Sequence, residues 1–366
     1  MKPRLLITLS LLLGLMATSS ACAAASLQPP PGYRAAAGSS GSSRSYSCPE
    51  APEPYVGALD FPSKYEGSGK ARNEVNDTSN AEYKNRSRPI TDLEKGVNKL
   101  VGQYIDSGRP EILQCALAWY TRWADARGLQ GKAETHTGKS SRKWALAALS
   151  GAWLHLKFSA SQPLATHPAE TRRVDAWLGQ LADTVVSEWD IDQPAARINN
   201  HFYWSGWAVM ATAVALDRRD LFDWSVRIYQ RFASQADGDG YLPNELARQN
   251  RALGYHNFAI TPLAMIAAFG KANGVNLPEA GNGALSRLAN RTLQGVRDPS
   301  IFEAKTGFEQ AMDGFDEQPT KLAWLEAYCW SVDCSGLAAE RLRTLRPMSN
   351  ARLGGAMTRT FDPTTP

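Results

Sequence analysis

Ten runs of this chain, at residues 92–106, 110–127, 139–158, 169–189, 198–216, 219–235, 242–253, 257–273, 284–295 and 319–330, repeat their apolar residues every three or four positions. Strand-like alternation is almost absent. A chain so patterned must bury helix faces against helix faces. Trp144-Ala-Leu-Ala-Ala-Leu and Trp207-Ala-Val-Met-Ala-Thr-Ala-Val-Ala-Leu are apolar around most of the helix, whereas Arg172 to Glu188 is amphipathic. Alternation of the two kinds across short polar turns predicts an all-α fold of antiparallel helical hairpins in two layers, which an α/α toroid satisfies. A plain bundle or a solenoid shares the pattern, but no fixed repeat period calls for a solenoid. The length and a hydrophobic content of 43% suffice for one large core, placed here over residues 55–366.

The ends of the chain speak to export. Lys2 and Arg4 precede an apolar run from Leu5 to Met16 and small residues through Ala25, so residues 1–25 read as a signal peptide cleaved after Ala23 or Ala25. Lipidation at Cys22 would want a Leu where Ser19 stands. The run is too short for a permanent anchor, and no later stretch of comparable purity reaches the roughly 20 apolar residues of a membrane span. Without Cys22 four cysteines remain, an even number suited to an oxidising compartment. Cys329 and Cys334 can close a small loop, leaving Cys48 to pair with Cys115. Residues 26–54, rich in Pro, Gly and Ser, read as a loosely ordered arm outside the core. Removing Lys2 and Arg4 takes the net charge from +4 to about +2, which gives no reason to expect nucleic acid as a partner. Affinity for an acidic polymer would have to come from local clusters.

Four segments concentrate chemistry. Arg197-Ile-Asn-Asn-His-Phe-Tyr-Trp-Ser-Gly-Trp opens a very apolar helix with two amides and a histidine, and Asn200, Trp204 and Trp207 share a face beside His201. Helix capping and core packing are the plain account; a platform for sugar rings is the functional one. Arg248, Arg251 and Tyr255 stand at i, i+3 and i+7, on one face if a single helix carries all three. His136, Lys139, Arg142 and Lys143 gather positive charge at a helix start, where backbone amides also favour anions. Lys64 and Tyr65 lie in Ser63-Lys-Tyr-Glu-Gly-Ser-Gly-Lys70, a stretch suited to a loop over a cleft. Asp237-Gly-Asp-Gly lacks the other ligands of a calcium loop, so no metal or cofactor is expected.

Together these segments resemble the mannuronate-specific alginate lyases of bacteria that make alginate. The likeness rests on Asn199-Asn200-His201 with Tyr203-Trp204, on Leu242-Pro-Asn-Glu-Leu246, on Arg251-Ala-Leu253 with Tyr255-His-Asn257, and on Leu353-Gly-Gly355. It extends to the Ser63–Ser68 loop, which looks like the family's lid, and to His136-Thr-Gly-Lys-Ser140. Thr135 and Gly69 depart from the asparagine and the acidic residue common there. The resemblance implies an incomplete α/α toroid that cleaves poly-mannuronate in the periplasm, leaving a 4,5-unsaturated uronate. It further implies a role in clearing stray alginate, in association with the secretion machinery.

β-Elimination needs the substrate carboxylate neutralised before the C5 proton becomes acidic; Asn200, His201 and Arg248 offer donors. It also needs a base for C5 and an acid for the leaving oxygen. The resemblance gives both roles to Tyr255, with Arg248 and Lys64 expected to favour its phenolate. His201 is left open as base or neutraliser. Lys64, Tyr65, His136, Lys139, Arg142, Trp204, Trp207 and Arg251 are the expected substrate contacts. Rival readings are hydrolysis by two of Glu245, Asp239 and Glu134, a zinc site of His136, His201 and His256, and a non-catalytic carbohydrate-binding or scaffold protein.

Overall fold

The structure, a computed structural model, describes residues 25–39, 45–312, 314–315, 318–332 and 334–362. Apart from Ala25, the expected export signal lies outside them, as does Cys22. Helix α1 (Asp77–Arg86) leads into α2 (Arg88–Ser107), α3 (Pro110–Asp125), α4 (His136–Phe158), α5 (Pro168–Glu188), α6 (Asn200–Leu216) and α7 (Arg219–Ala233). A single-turn α8 (Pro243–Leu246) precedes α9 (Ala252–Ala272), α10 (Ala280–Arg297), α11 (Ser300–Thr306), α12 (Trp324–Ser331), α13 (Gly336–Leu345) and α14 (Met357–Phe361).

Helices α2, α4, α6, α9 and α12 touch in that order and form an inner layer; α3, α5, α7, α10 and α13 each pack back on the inner helix before them. The apolar runs explain the division. Helices α4, α6 and α9 are buried almost all round, while α3, α5 and α7 bury one face. The C-terminal tail bridges α2 and α12: β1 (Ser349–Asn350) pairs antiparallel with β2 (Gly355–Ala356), β2 touches α2 and α4, and α14 packs on α12. The result is the expected α/α toroid. Gly354, at φ +103°, lets the tail approach Gly151 of α4 within van der Waals distance, which accounts for the Leu-Gly-Gly sequence.

An interior proline shapes α9. Pro262 has no N–H for the carbonyl of Phe258 one turn earlier, and the Trp204 indole donates to that carbonyl instead, at 3.0 Å.

Two expectations need correction. The described part of residues 26–54, residues 26–39 and 45–54, is not a loose arm. Leu27 and Tyr33 are buried, Tyr33 packs between His155 and Phe269 at 4.4 and 5.6 Å, and the indoles of Trp119 and Trp123 donate to the carbonyls of Pro49 and Pro52. A proline-rich stretch leaves carbonyls outside any regular ladder, and buried indoles need acceptors. The Cys48–Cys115 bond, with Cα atoms 5.6 Å apart, fastens this segment, and Cys329–Cys334 is also formed. Nor is residues 242–253 one helix: α8 stops at Leu246, Gln249 turns at φ +54°, and α9 begins at Ala252.

Two buried histidines make the fold acid-sensitive. His256 takes the Leu242 N–H on Nε2 at 2.9 Å and has the Ala252 carbonyl 2.8 Å from Nδ1, which fits only a neutral ring. Burial lowers its pKa to about 4, and likewise that of His155. A folded pKa below the unfolded value of about 6.5 means stability that is full above 6.5 and is lost as pH falls through 4. Each ring then contributes on the order of 3 kcal/mol. The melting temperature should therefore fall steeply between pH 6.5 and 4 in circular-dichroism scans; a flat profile there would contradict these two neutral rings.

Candidate active site

A cleft of about 410 Å³ opens where the N-terminal ends of α4, α6 and α9 converge. Helix α4 contributes His136, Ser140 and Trp144, α6 contributes His201, and α9 contributes Tyr255 and Phe258. Residues 63–72 cover it, with Lys64 and Tyr65 facing in. Lys64, Arg72, Arg248, Arg251, Lys321 and Arg352 line the wall, and no carboxylate does among the described residues. Three helix N-termini and six cations around one cavity favour an anionic ligand. The wall exists because α4 can start close beneath the lid. A Cβ on Gly138 would lie 1.5 Å from the Leu59 carbonyl, and the Thr135 hydroxyl caps the helix by accepting from the Gly138 N–H at 3.0 Å.

Arg248 and Tyr255 do meet, but not by sharing a helix face. Arg248 precedes the Gln249 turn, and its guanidinium lies over the Tyr255 ring, 3.6 Å from the centroid. The same group donates to the lid carbonyls of Ala71 at 2.7 Å and Arg72 at 2.5 Å, while Arg251 donates to Asn73 at 2.7 Å. The Tyr255 hydroxyl donates to that of Tyr65 at 2.8 Å. The lid is thus held down by the two arginines that the sequence placed in the site.

The electrostatics correct one expectation. Burial raises the Tyr255 pKa, and the nearby Arg248 charge opposes this without overcoming it. Lys64 stands over Tyr65, 4.9 Å from its ring centroid. At Tyr65 burial works against the phenolate, but the bond from Tyr255 and the charges of Lys64 and Arg251 outweigh it and the pKa is lowered.

His201 presents Nδ1 to the interior, 3.0 Å from the Ser140 hydroxyl and 3.2 Å from Lys143 Nζ. Burial, then the charge of Lys143 and the neighbouring His136, Arg248 and Arg72, push its pKa well down, so the ring is neutral at physiological pH. With donors facing Nδ1, the ring proton belongs on Nε2. Asn200 lies behind, fully buried and outside the cleft wall. Its backbone N–H donates to Glu245 Oε1 at 2.5 Å, its Nδ2 reaches both Glu245 oxygens at 3.0 and 3.1 Å, and its Oδ1 has no partner. Burial lifts Glu245 to about 7, against the pull of these bonds and of Arg248.

Three expected sugar contacts are structural. Trp204 and Trp207 are at most 1% exposed; the first caps the carbonyl freed by Pro262 and the second donates to the Arg352 carbonyl at 2.8 Å. Arg142 is buried in an ion pair with Glu188 and donates to the carbonyls of Leu129 and Gly131. A face that no solvent reaches cannot stack on a polymer. Lys139 is half-buried beside the cleft and does not line it. The aromatic walls are instead Trp144 and Phe258, which stand 6.1 Å apart centroid to centroid. Of the two, only Trp144 carried a sequence signal, its place in the basic α4 cluster; Arg352, Lys321 and Tyr83 were not distinguishable from surface residues. The carboxylates of the hydrolase reading do not converge: Glu245 is buried behind Asn200, Asp239 faces Arg291 and Lys305, and Glu134 pairs with Lys132 on the surface.

The family model described as alginate lyase matches residues 60–302. An alginate lyase of Pseudomonas fluorescens is 50% identical over 354 residues, covering 96% of this chain and 95% of its own length. One from Cobetia marina is 49% identical, with coverage of 93% and 91%. Among solved structures, a variant of alginate lyase A1-III complexed with a tetrasaccharide superposes with a TM-score of 0.74 at 23% identity over 87% of each chain. The A1-III enzyme of a Sphingomonas species gives 0.71 at 22% identity over 91% of each.

Proposed function

The chain belongs to the alginate lyase family, and from that premise, which makes alginate its substrate, we propose that it cuts the polymer at mannuronate by β-elimination. The observation that carries this reading is the meeting of Tyr255, Arg248 and His201 in a cation-lined cleft with no carboxylate on its described walls. In mannuronate the C5 proton and the C4 oxygen lie on the same side of the ring, so one phenol can act on both. Tyr255 takes the C5 proton as phenolate and returns it to the departing C4 oxygen, and the electron pair of the C5–H bond becomes the 4,5 double bond. Arg248 and the Nε2–H of His201 neutralise the uronate carboxylate on which charge builds. Asn200 joins them once its amide is drawn from Glu245 to the substrate.

Because Nδ1 of His201 is occupied and Nε2 carries the proton, the imidazole has no lone pair to offer C5, which favours Tyr255 as base. A buried phenol must still ionise, so the rate should climb on the alkaline side of neutrality. Lys64, Tyr65, His136 and Arg251 bind the chain under the lid, with Lys139 contributing charge from beside the cleft. Two disulfides suit an oxidising compartment, which supports the periplasm as the site of action, where stray polymer would be cleared during secretion.

The test is ultraviolet absorbance of the purified protein with poly-mannuronate, poly-guluronate and polygalacturonate, chelator present. A rise with poly-mannuronate alone is expected from the conjugated double bond. An equal rise with poly-guluronate would overturn the mannuronate preference and leave the lyase intact.

A further inference from the structure

Lys143 is a lysine with 0% exposure on α4, where the adjacent buried Arg142 is already paired with Glu188. Lys143 itself makes no ion pair among the described residues; burial pulls its pKa well below the usual lysine range, against the charge of Glu188. Its Nζ stands 3.2 Å from the Ser140 hydroxyl, 3.2 Å from His201 Nδ1 and 3.5 Å from the centroid of the Trp189 ring. The N–H bonds of Lys143 therefore face three groups that can accept them. The Trp189 ring in turn lies parallel to that of His201, 10° apart in plane. Having accepted from Lys143, Ser140 can pass its own proton only onward, and His201 Nδ1 is 3.0 Å away. Ser140 and Lys143 thus both address the same nitrogen, Nδ1 of His201. Burying a lysine is costly, and packing alone would be served as well by methionine.

We infer that Lys143 is a positioning residue that, with Ser140 and Trp189, fixes His201 as the neutral Nε2–H tautomer and so turns its proton toward the substrate carboxylate. The inference rests on the proposed role of His201, and it extends that role to a residue that never touches the polymer. Arg72 and Arg248 from the cleft side add positive charge around the ring, His136 beside it stays neutral with its pKa pushed down to about 3, Arg352 bears on Lys143, and Glu188 acts on Lys143 in the opposite sense. Lys143 is the one of these that addresses Nδ1 directly.

The test begins with the unaltered protein, labelled with nitrogen-15 at its histidines, of which the sequence has five. The His201 signals are assigned by their loss in His201→Gln. A pyridine-type Nδ1 and a pyrrole-type Nε2 are expected between pH 6 and 9; a protonated Nδ1 would overturn the inference whatever the activity proves to be. Lys143→Met should then give mixed tautomers and a ring that protonates at higher pH. It should lower kcat on poly-mannuronate by about tenfold to a hundredfold, move the acidic limb of the pH profile upward, and leave KM within threefold. Lys143→Gln keeps an N–H donor and should restore the tautomer and much of kcat. A Met variant that folds with an unchanged His201 spectrum and pH profile would show that Lys143 only packs. Absence of turnover in the unaltered protein would refute the proposed reaction, leaving the nitrogen-15 result to decide the tautomer independently.

Discussion

Tyr255→Phe is expected to lower kcat on alginate by at least about a thousandfold while polymer still binds within threefold of the unaltered affinity. One phenol is asked to serve as both base and acid, and each such role contributes roughly a hundredfold to ten-thousandfold. The fold should be untouched. Removing the hydroxyl costs its bond to Tyr65, while the ring keeps its packing against Arg248 and Phe258. Turnover is read from ultraviolet absorbance, and binding from calorimetry with mannuronate oligomers. Substantial turnover in the Phe variant would remove Tyr255 from the reaction. Equal binding by both proteins with no turnover in either would favour a non-catalytic polysaccharide binder.

The frame of this molecule was legible because inner and outer helices differ in how much of their circumference is apolar, a property of consecutive residues. The run 284–295 fell at the true start of the regular part of α10, whose first residues, Gly281 to Gly283, have left-handed backbone angles. Helix α1 escaped notice because it buries nothing and so has no apolar period. At the site, residue identity was legible but depth was not. Trp204 and Trp207 have the spacing of a sugar platform, yet whether an indole faces a cleft or a carbonyl depends on Pro262 and on the Arg352 backbone, far away in sequence. Arg142 and Lys143 read as part of a basic cluster open to an anionic chain because a lone sequence cannot show that Glu188 and Trp189 arrive to cover them. Arg248, Arg251 and Tyr255 were placed together correctly through an incorrect helix. Their convergence comes from the Gln249 turn and from lid carbonyls, for which side-chain periodicity carries no signal.

That convergence sets the last expectation, that Arg248→Lys will lower kcat/KM by about a hundredfold although charge is conserved. The guanidinium lies over the Tyr255 ring and at the same time donates to the carbonyls of Ala71 and Arg72. An ammonium is a point charge on a flexible stem, and it cannot span the ring and both carbonyls. Losing one preorganised donor at a developing oxyanion corresponds to about 3–4 kcal/mol, and displacing a reacting group by an ångström has a comparable effect. Arg251→Lys is the control. That arginine donates to the Asn73 carbonyl beside the lid and lies 5.7 Å from the Tyr65 ring centroid. Loosening the lid alone should raise KM and leave the alkaline rise of kcat where it was, whereas Arg248→Lys should push that rise to higher pH because the replacement ammonium is not held over the phenolate. Both variants can be followed over pH 6 to 10 with the absorbance assay. If they behave alike, Arg248 serves the lid and not the phenolate, and the charge that activates Tyr255 must come from elsewhere in the cleft.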